Sequence, residues 1–286
     1  MKLFETLGIE KPAIAACVAY HEYISDRSVA LLLRSTSDSL DIGSGTCFRI
    51  GRRYLIATVA HNVSHLDLSQ IEAVPRGAYY SNKLSLVAKN HLHNDQGAEV
   101  DVAWIEVEAG DFERSSDLSA FSLGQVATYP EDVVTACFLQ GYPGERVELV
   151  KPQASARPSV ASDGLLTTSI LPSARGVHHQ AGIDFAIEYP PHDGSLDKAP
   201  LAAPPGVSGG GIWWLPGFKD NKVWLQDEVR LLAIARKWYK PSREVWGTRI
   251  EFWLKLVAAD FGDLREEIEN VLESLSAPNQ EPQADG

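Results

Sequence analysis

"PPGVSGGGIW", residues 204–213, sets one serine among four glycines, behind two prolines and directly before an apolar run. A serine hydroxyl is a weak nucleophile at neutral pH. To attack a carbonyl it needs a base within hydrogen-bond reach and donors for the oxyanion that forms. Glycines answer the second need, because residues without Cβ let the backbone turn tightly and bring N–H groups against a reacting group. Taken alone, the stretch also reads as a Gly-rich turn whose serine bonds its own backbone.

Where the base lies is decided by chain order. Residues 206–210 fit the G-x-S-x-G elbow of α/β-hydrolases, which requires an acid and then a histidine after the serine. The histidines stand at 21, 61, 65, 91, 93, 178, 179 and 192, so none follows Ser208 and that elbow is excluded. An upstream base is offered by "GSGTCFRIGRRYLIATVAHNV", residues 43–63, where His61 ends an apolar, strand-like run. An order of Asp41, His61, Ser208 would suit a subtilisin, but those enzymes set the histidine at a Gly-rich helix start, unlike "VAHNVSH". The order His61, Asp101, Ser208 fits better, with Asp101 opening "DVAWIEV". Asp95 and Glu99 compete for the orienting role. The apolar run after Asp101 favours it, because a buried strand start holds a carboxylate rigid.

Other clusters carry less. His61 and His65 are four apart, as in a helical zinc site, but Asn62 stands where H-E-x-x-H needs its acid. His91 and His93 alternate as on a strand and could chelate, but they, like His178 and His179, read rather as solvated loop histidines. Cys47 sits within a strand with no Gly-lined turn after it, which argues against a thiol nucleophile. No metal and no cofactor is expected.

Composition bounds the partners. The 286 residues are 44% hydrophobic and 22% charged, the balance of a globular chain with a sizeable core. A net charge of −12 with no long Lys/Arg run gives no electrostatic hold on nucleic acid. The apolar stretch near the N-terminus is too short and interrupted for a signal or membrane segment, so no membrane partner is expected. Cys17, Cys47 and Cys137 are far apart, which reads as free thiols in a cytoplasmic protein.

Short apolar segments between Gly, Pro, Asn, Asp and Ser recur from Val29 to Glu108 and again from Asp132 to Trp238, which predicts two β units. Helical spacing occurs only at Ile250, Trp253, Leu254 and Val257, and at Leu264, Ile268, Val271, Leu272 and Leu275. The six tryptophans from Trp213 to Trp253 read as core or as a hydrophobic interface.

Three segments together resemble the trypsin-like, chymotrypsin-fold serine proteases. They are the run into "VAH" ending at His61, "DVAWIEV" and "GVSGGGIW", in the family's order. "GYPG", residues 141–144, and "GTRIEFWLKLV", residues 247–257, resemble features of the second barrel and terminal helix. The resemblance implies an all-β fold of two Greek-key β-barrels packed face to face with a C-terminal helical appendage. Its expected divisions are an N-terminal extension (1–27), a first barrel (28–120), a second barrel (121–248), C-terminal helices (249–275) and a disordered tail (276–286). It further implies a bacterial serine endopeptidase: His61 as general base then acid, Asp101 orienting it, Ser208 as nucleophile, and the N–H groups of Gly206 and Ser208 as oxyanion hole. The implied partners are a polypeptide substrate and an activating or regulatory protein. The alternative is an inactive protease-fold binding or scaffold module.

The departures from the family are informative. Val207 stands where trypsin-type zymogens carry the Asp that pairs with a new N-terminus, so that switch is absent. No Cys stands just after His61 to bridge Cys47, as secreted relatives often have. By the family's register, substrate-binding residues are Ala202, Pro204, Arg236 and Trp238. Ala202, six before Ser208, occupies the position where an acid would select Lys or Arg, so a preference for basic side chains is not expected. If Arg236 or Lys237 faces the pocket, acidic side chains are favoured.

Overall fold

A computed structural model describes residues 19–35, 40–76, 83–95, 98–115, 118–128, 137–144, 147–148, 159–160, 163–167, 170–171, 180, 182–189, 205–215 and 225–276. The expected N-terminal extension up to residue 18 and the tail from 277 lie outside them, as do Ala202, Pro204, His178, His179 and Cys17.

The first half forms a six-stranded antiparallel sheet from β1 (Ser28–Leu33), β2 (Asp41–Ile50), β3 (Arg53–Thr58), β4 (Ile71–Pro75), β5 (Leu86–Asp95) and β6 (Ala98–Val107), in the order β4-β1-β2-β3-β6-β5. A bridge between Ala73 and Leu84 brings the approach to β5 back against β4, so the sheet curls on itself. Strand β6 explains why "VDVAWIEV" is apolar almost throughout. Val100, Val102 and Trp104 pack into one core cluster, while Ala103, Ile105 and Val107 pack into another on the opposite face. Asp101 shares the side of the strand that carries Ala103 and Ile105, and it enters a setting with little water.

The second half forms a seven-stranded antiparallel sheet. Its strands are β7 (Cys137–Gly141), β10 (Asp163–Thr167), β11 (Ile170–Leu171), β12 (Asp184–Glu188), β13 (Gly211–Trp214), β14 (Arg230–Tyr239) and β15 (Glu244–Arg249), in the order β10-β7-β13-β14-β15-β12-β11. A small separate ribbon pairs β8 (Val147–Glu148) with β9 (Ser159–Val160). Strand β14 carries a register shift between Ala235 and Lys237 against β15.

Among the described residues, helices α1 (Ala60–Val63), α2 (Ala109–Arg114), α3 (Ile250–Asp260) and α4 (Arg265–Ser276) accompany the sheets. The C-terminal pair is more than an appendage. Trp253 is fully buried, donates Nε1–H to the carbonyl of Ala103 at 3.0 Å, and packs 4.9 Å from Phe48. The same apolar cluster holds Phe48, Val100 and Val102 of the first sheet, Trp213, Leu231 and Ile234 of the second, and Tyr20 and Ile24 from a helical segment over 19–25. One core therefore joins both sheets through the terminal helices.

Candidate functional site

His61 lies on α1, a single turn following β3, and its side chain is about half exposed (45%). Asp101 reaches it from β6. Asp101 Oδ1 accepts the backbone N–H of His61 at 3.0 Å, and Oδ2 lies 2.6 Å from His61 Nδ1. An ionised carboxylate only accepts, so the proton of this bond belongs to Nδ1, and in the neutral ring Nε2 keeps its lone pair. Burial pushes the Asp101 carboxyl up, but the hydrogen bonds and charge of His61, and the charge of Arg236, outweigh it and hold the group below its ordinary value. Asp101 is thus an anion at neutral pH. Of the four carboxylates weighed from the sequence, Asp41, Asp95, Glu99 and Asp101, this is the one that meets His61.

Ser208 sits in the turn before β13, between two glycines with positive φ, Gly206 (+97°) and Gly209 (+92°). Only glycine fits at 209: a Cβ there would come 2.0 Å from the carbonyl oxygen of Ser44. Gly209 N–H donates to the Ala235 carbonyl at 2.7 Å, and Ala235 N–H returns a bond to the Gly210 carbonyl at 2.8 Å, which ties the turn to β14. Among the described residues, the N–H groups of Gly206 and Ser208 donate to no acceptor, and the Ser208 hydroxyl makes no hydrogen bond. Val207 is buried in the apolar cluster of Leu139, Phe185 and Ile212.

The turn is fastened to the first sheet as well. Ser44 N–H donates to the Ser208 carbonyl at 2.8 Å, and Ser44 Oγ donates to the Gly206 carbonyl at 2.7 Å while accepting Tyr142 N–H at 2.8 Å. Asn62, next to His61, is buried and donates Nδ2–H to the Ser208 carbonyl at 3.0 Å. Asn62 packs over Gly43, where a Cβ would strike its amide. The helix that carries the imidazole and the turn that carries the hydroxyl therefore share one hydrogen-bond web. Sequence reasoning missed the roles of Ser44 and Asn62, which stand in the polar surroundings of "DIGSGTC" and "VAHNVSH" and carry no local signal.

Among solved structures the chain is similar to HL collagenase, with a TM-score of 0.51 and 12% identity, over 85% of this chain and 96% of that one. The fold is chymotrypsin-like. A thermostable serine protease, AL20, from an extremophilic microorganism is similar over 79% of this chain and 92% of its own, at 14% identity and a TM-score of 0.48. No protein-family model matches the sequence, and no curated protein matches it.

In this chymotrypsin-like fold a cavity of about 250 Å³ opens beside Ser208, walled by Pro205, Val207, Ala235, Lys237, Trp238 and Val245. Trp238 lines this cavity. Arg236 does not: it is absent from the cavity wall and only 4% exposed, with its guanidinium bonded to Asp184 and Glu99. Its neighbours Ala235 and Lys237 line the wall, and Arg236 between them is turned to the carboxylates instead. Cys47 and Cys137 are buried free thiols whose titration burial pushes far up, so neither is a thiolate nucleophile. Among the described residues, no helix is long and apolar enough to cross a membrane.

Proposed function

We propose that the chain is a serine endopeptidase that hydrolyses peptide bonds through an acyl-enzyme. The observation that carries the reading is the 2.6 Å bond between His61 Nδ1 and Asp101 Oδ2, on a helix whose next residue, Asn62, holds the Ser208 carbonyl. In the reaction, His61 Nε2 takes the proton of Ser208 Oγ as that oxygen attacks the scissile carbonyl. The anionic Asp101 steadies the imidazolium, and the N–H groups of Gly206 and Ser208 receive the oxyanion. His61 then gives its proton to the leaving amine, and a water repeats the cycle on the ester. For this, Ser208 Oγ must close onto Nε2 when substrate arrives, a tightening common in free serine hydrolases.

Among the described residues, the cavity beside Ser208 is apolar on most sides and Lys237 is the one cation on its walls. Uncharged or acidic side chains are therefore favoured there over Lys and Arg. A peptide library cut chiefly after Lys or Arg would contradict this. The buried free thiols fit a reducing compartment.

One observation favours a second reading, an inactive binding module: the Ser208 hydroxyl makes no hydrogen bond to His61 among the described residues. A fluorophosphonate probe separates the two. The expected result is a stoichiometric adduct on the Ser208 peptide by mass spectrometry, lost in Ser208→Ala. A folded wild-type chain that stays unlabelled through hours of exposure rejects the peptidase.

A further inference from the structure

Arg236 holds the guanidinium best shielded from solvent that bears on the site. Its side chain is 2% exposed, and it bridges two carboxylates from different sheets. Nε and Nη2 donate to Asp184 Oδ1 on β12 at 3.1 and 2.8 Å, and Nη1 donates to Glu99 Oε1 on β6 at 3.1 Å. The ring closes through Gln180, whose N–H donates to Asp184 Oδ2 at 2.9 Å and whose Oε1 accepts Glu99 N–H at 3.2 Å. Asp184 is fully enclosed, and Glu99 is the exposed member.

The ring's two ends fall where the site is assembled. Glu99 and Asp101 are two apart on β6, and the charge of Arg236 is felt at Asp101. Arg236 follows Ala235, whose N–H and carbonyl hold Gly210 and Gly209 of the Ser208 turn. We infer that Arg236 is a positioning residue of the Ser208 site, latching the strand that braces the nucleophile turn to the strand that presents Asp101. The inference rests on the peptidase reading above. It assigns Arg236 no contact with substrate: it acts through β14 and β6. A planar guanidinium suits the task, since its fork can hold two carboxylates at fixed directions where an ammonium cannot.

Two variants test this. Asp184→Asn with Arg236→Met removes the charges together, and the amide oxygen can still accept Gln180 N–H; replacing both partners of a buried pair is often neutral for folding. Glu99→Gln alters only the exposed arm, and keeps the test open if the double variant fails to fold. Three quantities are measured: thermal midpoint, the second-order rate of fluorophosphonate labelling, and the downfield proton resonance of the His61 Nδ1–H bond. The expected result is a midpoint within a few degrees of wild type, labelling about tenfold slower in the double variant and about threefold slower in Glu99→Gln, and a shifted or broadened resonance in both. Arg236→Lys is expected to recover the rate only in part. Folded variants with unchanged labelling and an unchanged resonance overturn the latch, as does a lowered midpoint with rate and resonance intact. A labelled wild type with indifferent variants sinks the latch alone. A wild type that resists the probe, with the resonance still moved by the variants, sinks the peptidase and leaves the latch standing.

Discussion

His61→Ala is expected to slow peptide hydrolysis about a millionfold, and Ser208→Ala to do the same, while the double variant is no slower than either. The reason is that base and nucleophile are one device. Without Nε2 the hydroxyl keeps its proton, and without the hydroxyl the imidazole has nothing to deprotonate. What remains in each case is binding and the two N–H donors of Gly206 and Ser208. The fold should tolerate the loss at 61, since the ring is about half exposed and Asp101 keeps the backbone N–H of that residue as a partner. Steady-state kinetics on a peptide, with circular dichroism to confirm folding, checks this. Losses that multiply in the double variant would mean the two residues work independently, and the shared mechanism would be wrong.

Gly209→Ala is expected to be the most disruptive small substitution in the turn. At φ +92° a Cβ is strained wherever it points, and this one would lie 2.0 Å from the Ser44 carbonyl oxygen and 2.2 Å from Thr58 Oγ1. Neither neighbour is free to retreat. Ser44 is pinned by its bonds to Gly206 and Tyr142, and Thr58 Oγ1 donates to the Ser44 carbonyl at 2.8 Å. Strain and overpacking together come to about 4 kcal/mol, a drop in thermal midpoint of roughly 8–16 °C for a chain of this size. Gly182→Ala isolates the strain, because φ there is +84° with nothing within 4 Å of the new carbon. It should cost only about 1 kcal/mol. Differential scanning calorimetry distinguishes the two; equal midpoints would show that the turn is not clamped as described.

The parts of the site legible in the sequence were those whose chemistry is local. A histidine ending an apolar strand, a carboxylate opening one, and a serine in a Gly-rich turn each carry their signal in a few neighbours. Their chain order then selected the chymotrypsin-like architecture. The web that joins them has no such signature. Asn62 and Ser208 are partners across 146 residues, and Ser44 and Gly206 across 162, so only the folded chain brings them together. Arg236 was misplaced for a different reason. The family's register named a stretch of strand and not a face: Ala235 and Lys237 line the cavity, and Arg236 between them is turned to Asp184 and Glu99. The terminal helix was visible from the spacing of Ile250, Trp253, Leu254 and Val257. Spacing does not say what a helix packs against, and here the buried stripe joins the core of both sheets.

The most direct test is the crystal structure of the chain after reaction with a fluorophosphonate, read at the bound phosphorus. The expected result is a covalent bond to Ser208 Oγ, one phosphoryl oxygen about 2.7–3.1 Å from the N–H groups of both Gly206 and Ser208, and His61 Nε2 turned toward Oγ. An adduct on another residue, or one on Ser208 whose oxygen points away from those two donors with His61 swung out, contradicts the account.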